Sequence, residues 1–142
     1  MSNEFADERA DLAAVLRWAA REGMQEAAGN HCSLSVSENG NQFLINPDGK
    51  YFSNLKASDL LLINLDEHTS TQQANLSAWL LHGQILQRVE SAKCVLHLHP
   101  KYATVLATLL DSTIYPVDQV SMRFYNRVAT DSEYSGMIVD QT

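Results

Sequence analysis

Apolar positions recur along the chain with two different periods, and each change of period marks a new element. Leu12, Val15, Leu16 and Ala19 fall at i, i+3, i+4 and i+7, which predicts an amphipathic helix from about Glu4 to Glu22 with Gly23 as its stop. Cys32, Leu34 and Val36 then alternate with Ser33, Ser35 and Ser37, the two-residue period of a half-buried strand. Glu38-Asn39-Gly40-Asn41 predicts a turn, with Gln42–Ile45 returning as the hairpin partner. A second turn follows at Asn46-Pro47-Asp48-Gly49, where glycine can take a positive φ. Leu60–Leu65 is apolar except for Asn64 and predicts a strand covered on both faces. Ser77–Arg88 predicts a helix, capped by Ser77 or Asn75, with Leu81, Ile85, Leu86 and Val89 toward the core. Cys94–His99 predicts another buried strand, stopped by Pro100, and Tyr102–Leu110 a further helix. Val117–Thr142 reads as a short helix, a strand at Arg127–Ala129 and a loop. Strands interleaved with helices predict an α/β or α+β layered domain with helices packed on a mixed sheet.

Composition narrows the function classes. A chain of 142 residues has the length of one domain, expected to run over 1–142. Ten Lys and Arg against 17 Asp and Glu give a net charge of −7 without any basic block. That balance argues against nucleic acid or an anionic membrane as a partner. No apolar run approaches the roughly 20 residues of a membrane span, and Met1–Glu8 is acidic and polar, unlike a signal peptide. Cys32 and Cys94 both sit in strand-like apolar patterns and are read as reduced core residues of a cytoplasmic protein.

The sharpest chemical feature is His97-Leu98-His99. On a strand, alternate side chains leave the same face, so both imidazoles project together while Leu98 points into the core. Their Cα atoms are then about 6.5 Å apart, close enough for two ring nitrogens to converge on one ion at about 2.0–2.1 Å. A catalytic zinc site has three protein ligands and an open position, and no spacing rule selects a third among His31, His68 and His82. Gly29-Asn30-His31, the Asp48-Gly49 turn and the helix start at Ser77 each offer polar groups to a ligand. Each is more simply explained as a tight connection, an ordinary turn or a helix cap. His82 shares a helix face with Ala78 and reads first as a satisfied helix histidine, with proton handling or metal ligation as its alternative roles.

Taken in order, Gly29-Asn30-His31-Cys32-Ser33, Phe43-Leu44-Ile45-Asn46-Pro47-Asp48-Gly49, Ala57-Ser58-Asp59-Leu60-Leu61, Ser77-Ala78-Trp79 with His82-Gly83, Val95-Leu96-His97-Leu98-His99-Pro100, and Gln119 with Arg123–Ala129 resemble the class II aldolase/adducin family over about Leu12 to Met137. The resemblance implies a three-layer α/β/α fold around a mostly antiparallel sheet, assembled as a homo-oligomer, typically a tetramer. It implies that His97 and His99 bind a divalent metal ion, usually zinc. The function it implies is a metal-dependent carbon–carbon lyase, an aldolase or decarboxylase acting on a small hydroxy- or oxo-carbonyl compound through a metal-stabilised enediolate. Asn30, Asp48, Gly49 and Ser77 fall where family members hold substrate.

Three departures qualify that expectation. The sugar-phosphate aldolases carry a glutamate, their acid/base, where this chain has Ala78, and alanine transfers no proton. Asp48 and Leu76 replace phosphate-binding hydroxyl residues. The family's third histidine belongs to a late Asn-His-Gly strand, and no histidine follows His99. The sequence is therefore expected to be a piece of a longer protein, or else His82, His31 or water completes the metal shell. Ala78-Trp79 and Arg123–Ala129 resemble the adducin-like branch, which implies the alternative of a non-catalytic structural or ligand-binding domain.

Overall fold

The structure is a computed structural model that describes residues 4–67, 73–131 and 133. These divide into two compact units, one ending at Pro100 and the other beginning at Lys101.

In the first unit, helix α1 (Ala6–Arg21) is followed by strands β1 (His31–Ser35), β2 (Gln42–Ile45) and β3 (Leu61–Asn64), helix α2 (Leu76–Arg88) and strand β4 (Cys94–His97). The sheet order is β3-β2-β1-β4, and all three pairings are antiparallel, so the sheet is not mixed. The chain leaves β3 at one edge, crosses a face as α2, and returns at the other edge as β4.

Side-chain alternation makes two cores. Cys32 and Leu44 point to one face and pack against Leu12, Ala13, Leu16 and Ala19 of α1, with Phe52, Leu55 and Leu60 closing the layer. Phe43, Ile45 and Ile63 point to the opposite face and pack with Ala78 and Leu86 of α2. The result is the expected three-layer α/β/α arrangement about an antiparallel sheet.

Helix α1 ends where the glycine predicts. Gly23 has φ +68° and donates to Ala20 O at 3.1 Å, while Met24 N–H reaches Ala19 O at 2.9 Å. These paired bonds satisfy the last carbonyls of the helix, and Met24 turns back against the α1 core. Asn75 rather than Ser77 caps α2, its Oδ1 accepting from Ala78 N–H at 3.1 Å. Gly40 (φ +73°) brings the β1–β2 turn against the backbone of Leu86, where any Cβ would overlap the carbonyl.

Several sequence expectations are corrected. Strand β4 stops at His97 and is an edge strand, so Cys94 and Leu96 are exposed rather than buried. Of the two cysteines, only Cys32 lies in the core. Strand β3 is also an edge, with Ile63 buried and its neighbours half-buried. On α2 the packed face is Ala78, Leu80, His82, Gly83 and Leu86, whereas Val89 is exposed, because His82 and Gly83 occupy the stripe turned to the sheet.

In the second unit, helix α3 spans Lys101–Ala107, shorter than expected, and a 3-10 turn covers Ser121–Phe124. Residues 127–129 form no strand. The Asp118 carboxylate accepts from Ser121 N–H at 2.6 Å and fixes the start of the 3-10 turn. Among the described residues, no helix is long and apolar enough to cross a membrane.

Candidate metal centre

The antiparallel register of β1 and β4 places His31 directly opposite His97. Opposed residues project to the same face of a sheet, so the two imidazoles meet above it. Their rings stack with centroids 4.3 Å apart and planes 18° from parallel. Ser33, two residues along β1, points to the same face, the one covered by α2. There it meets His82, whose Nδ1 lies 2.7 Å from Ser33 Oγ and whose Nε2 lies 2.9 Å from His31 Nδ1.

His99 lies just beyond the strand but remains with the group. Its N–H donates to Met24 O at 3.0 Å, and its ring nitrogen Nε2 is 3.0 Å from Nε2 of His97. Leu98, between them, packs toward the α1 core. His99 Nδ1 is 2.7 Å from a carboxylate oxygen of Glu26. A carboxylate only accepts, so Nδ1 carries the proton and Nε2 of the neutral ring is left with its lone pair. Four of the five histidines thus form one string, His82–His31–His97–His99, with Ser33 at the buried end and Glu26 at the exposed end. His68 lies outside the described residues.

Burial sets the electrostatics of the string. His82 has no exposed surface, and desolvation, followed by the neighbouring His31 and His97, lowers its pKa to about 3. His31 is lowered to about 4, again chiefly by burial and then by His97, with Asp48 opposing the shift. His97 is shifted down by burial and by His99. Neutral imidazoles are the form that binds metal, so burial sets up His82, His31 and His97 as lone-pair donors near neutral pH.

The backbone around the string is held by two buried asparagines. Asn30, 1% exposed, accepts from Glu26 N–H at 2.6 Å and donates to His97 O at 3.4 Å. Asn46 accepts from Cys32 N–H at 2.8 Å and donates to Asn30 O at 3.2 Å, tying the end of β2 to the start of β1. Both polar ends of the Asn30 side chain therefore serve the fold. The Asp48-Gly49 turn is exposed, with Gly49 at φ +71°, and Asp48 N–H donates to Gln73 O at 2.8 Å just before α2. Ser77 Oγ donates to the capping Asn75 Oδ1 at 2.8 Å. The turn is therefore tied to the segment leading into α2, and Asp48 is near enough to His31 to act on its charge.

The donor set can be tested against a divalent ion. Two ring nitrogens 3.0 Å apart match adjacent ligands of an ion bound at about 2.0–2.1 Å. The proton on His99 Nδ1 leaves the correct nitrogen free, and its carboxylate partner is the usual support of a metal-bound histidine. Among the described residues, no group of three or more histidine, cysteine or acidic side chains surrounds one point. The spacing of the His97 and His99 ring nitrogens suits two adjacent positions about one ion.

Sequence reasoning named His31 and His82 without being able to select them, since the β1–β4 register brings His31 to His97 and the packing of α2 brings His82 to His31. It missed Glu26 and Ser33. Ser33 was legible as the polar side of an alternating strand, whereas nothing in Gln25-Glu26-Ala27 distinguishes Glu26 from a solvated loop carboxylate.

Comparison with known proteins gives a consistent result. Residues 10–139 match the model for the class II aldolase and adducin N-terminal domain. Alpha-adducin of Rattus norvegicus is 30% identical over 139 residues, covering 94% of this chain and 18% of that protein. Among solved structures, an aldolase II superfamily protein from Pseudomonas syringae superposes with a TM-score of 0.83 at 27% identity, over 99% of this chain and 57% of the other. An L-fuculose 1-phosphate aldolase from Glaciozyma antarctica PI12 gives 0.79 at 26% identity, over 92% and 55%. The chain thus spans little more than half of those two structures and under a fifth of alpha-adducin. With its fold, its ordered motifs and the family match all in agreement, the chain belongs to the class II aldolase and adducin family.

Proposed function

We propose that this domain serves a metal-dependent carbon–carbon lyase, of the aldolase or decarboxylase type, acting on a small hydroxy- or oxo-carbonyl compound. The observation that carries the reading is the 3.0 Å approach of His97 Nε2 to His99 Nε2, with the other nitrogen of His99 bonded to Glu26. His97 and His99 would hold a divalent ion, zinc in this proposal, because neutral imidazoles are among its ordinary ligands. Once bound, the ion supplies Lewis-acid polarisation of the substrate carbonyl.

The chain's own residues shape the rest of the site. The backbone N–H of Gly49 in the exposed turn and the hydroxyl oxygen of Ser77, as an acceptor, would orient substrate beside the imidazoles, with Asn30 fixing the strand ends behind them. The Asp48 carboxylate repels an anionic group and favours a neutral, hydroxyl-bearing end of the substrate over a phosphate. His82 is sealed from solvent, so any proton it takes or gives passes along its bond to His31. The proposal includes homo-oligomeric assembly, as a tetramer, in the cytoplasm, without nucleic-acid or membrane partners.

The test is a screen of hydroxy- and oxo-acids and unphosphorylated sugars with the full natural protein, reading carbonyl product formation. Turnover that disappears in His97→Ala supports the lyase. A second reading, a non-catalytic ligand-binding domain, is favoured by Ala78, which puts a buried methyl group where a proton carrier is expected. Absence of turnover across the screen, with metal bound, would favour that second reading.

A further inference from the structure

The loop after α1 is joined to the end of β4 at three points. His99 N–H donates to Met24 O, Asn30 Nδ2 donates to His97 O, and His99 Nδ1–H donates to the Glu26 carboxylate. Glu26 does not hang freely in this loop, because its own N–H is held by Asn30 Oδ1 at 2.6 Å. The same asparagine side chain therefore touches the backbone of the residue that orients one imidazole and the backbone that carries the other.

We propose that Glu26 is a positioning residue of the metal centre, fixing the tautomer and ring orientation of His99 so that its Nε2 faces His97. This rests on the reading of His97 and His99 as ligands. A neutral histidine populates two tautomers, and only the one protonated at Nδ1 can offer Nε2 to an ion. Without the carboxylate, nothing else bonded to the His99 ring among the described residues chooses that form, since Nε2 there meets only the His97 ring. A proton on His99 Nε2 would point straight at His97 and occupy the lone pair that an ion requires. The carboxylate also makes the imidazole a stronger donor, as outer-shell partners of metal-bound histidines do. Glu26 is exposed, so it reaches this role through geometry rather than burial, and its replacement leaves no cavity.

The experiment uses the full natural protein with Glu26→Ala and Glu26→Gln, and His97→Ala as a control. Long-range proton–nitrogen correlation spectra of the metal-free protein, at a pH where the rings are neutral, report the His99 tautomer. Competition with a chelating dye reports zinc affinity. The expected result is a His99 protonated at Nδ1 in the natural protein and in Glu26→Gln, whose amide oxygen can still accept. In Glu26→Ala that form gives way to the Nε2-protonated one, and zinc affinity falls about 10–100-fold, the usual effect of losing an outer-shell partner. An unchanged tautomer in Glu26→Ala, or unchanged zinc affinity despite a changed tautomer, would overturn the proposal. If the natural protein and His97→Ala bind zinc equally poorly, the metal reading fails and this inference fails with it, whereas binding that His97→Ala abolishes and Glu26→Ala spares removes Glu26 alone.

Discussion

His31 and His97 lie face to face across two antiparallel strands, 4.3 Å between centroids, and neither ring has room to hold a proton cheaply. Charging either places a cation against its neighbour, in a site where burial already disfavours the charged form.

The metal-free domain is therefore expected to lose stability on acidification. Folding lowers the pKa of His31 from 6.5 to about 4 and that of His82 to about 3, so between these limits the unfolded chain binds more protons than the folded one. Stability is then full above the unfolded value and falls as pH drops from 6.5 toward about 4 and below, by on the order of a few kcal/mol. Urea unfolding at a series of pH values checks the sign. Greater stability at the acid end of that window would refute it.

His82 acts first as a structural residue. Replacing it by leucine leaves the buried Ser33 hydroxyl and His31 Nδ1 without their partner. His82→Leu should cost about 2–4 kcal/mol in denaturant unfolding, since orphaned buried polar groups carry their full desolvation penalty. A change within about 0.5 kcal/mol, the range of ordinary surface substitutions, would mean the string is not stabilising.

Ala78 has no exposed surface and packs with Phe43 and Ile45. Restoring the family's acid with Ala78→Glu should destabilise the fold by about 3 kcal/mol or more, because the carboxylate enters an apolar layer without a partner. A stable Ala78→Glu variant with new lyase turnover would show instead that the layer opens toward substrate.

Gly40 holds the β1–β2 turn against the last turns of α2. Gly40→Ala combines a positive φ with overlap on the Leu86 carbonyl, and a loss of about 2 kcal/mol or more is expected in thermal or urea unfolding. An alanine tolerated without loss would place the turn farther from α2.

The sequence made periodic elements readable where one side of a segment is buried. Cys32, Leu34 and Val36 announced β1, and Gly23 announced the end of α1, because each obeys a local rule of alternation or backbone conformation. Edge position is not local. Cys94 and Leu96 have the composition of a core strand and become exposed only because β4 has a single neighbour. The same limit governed the site. His97 and His99 stood out through their spacing, while the approach of His31 depends on a register with a strand more than sixty residues away, and Glu26 on a loop folding back to that strand.

Divalent-ion content of the full natural protein, measured beside His97→Ala and His99→Ala at matched folding, bears hardest on the proposed function. One tightly held ion per chain, lost in both variants, is the expected result. A natural protein that holds no ion when supplied with zinc, or variants that retain it fully, would contradict the assignment of these two imidazoles as ligands.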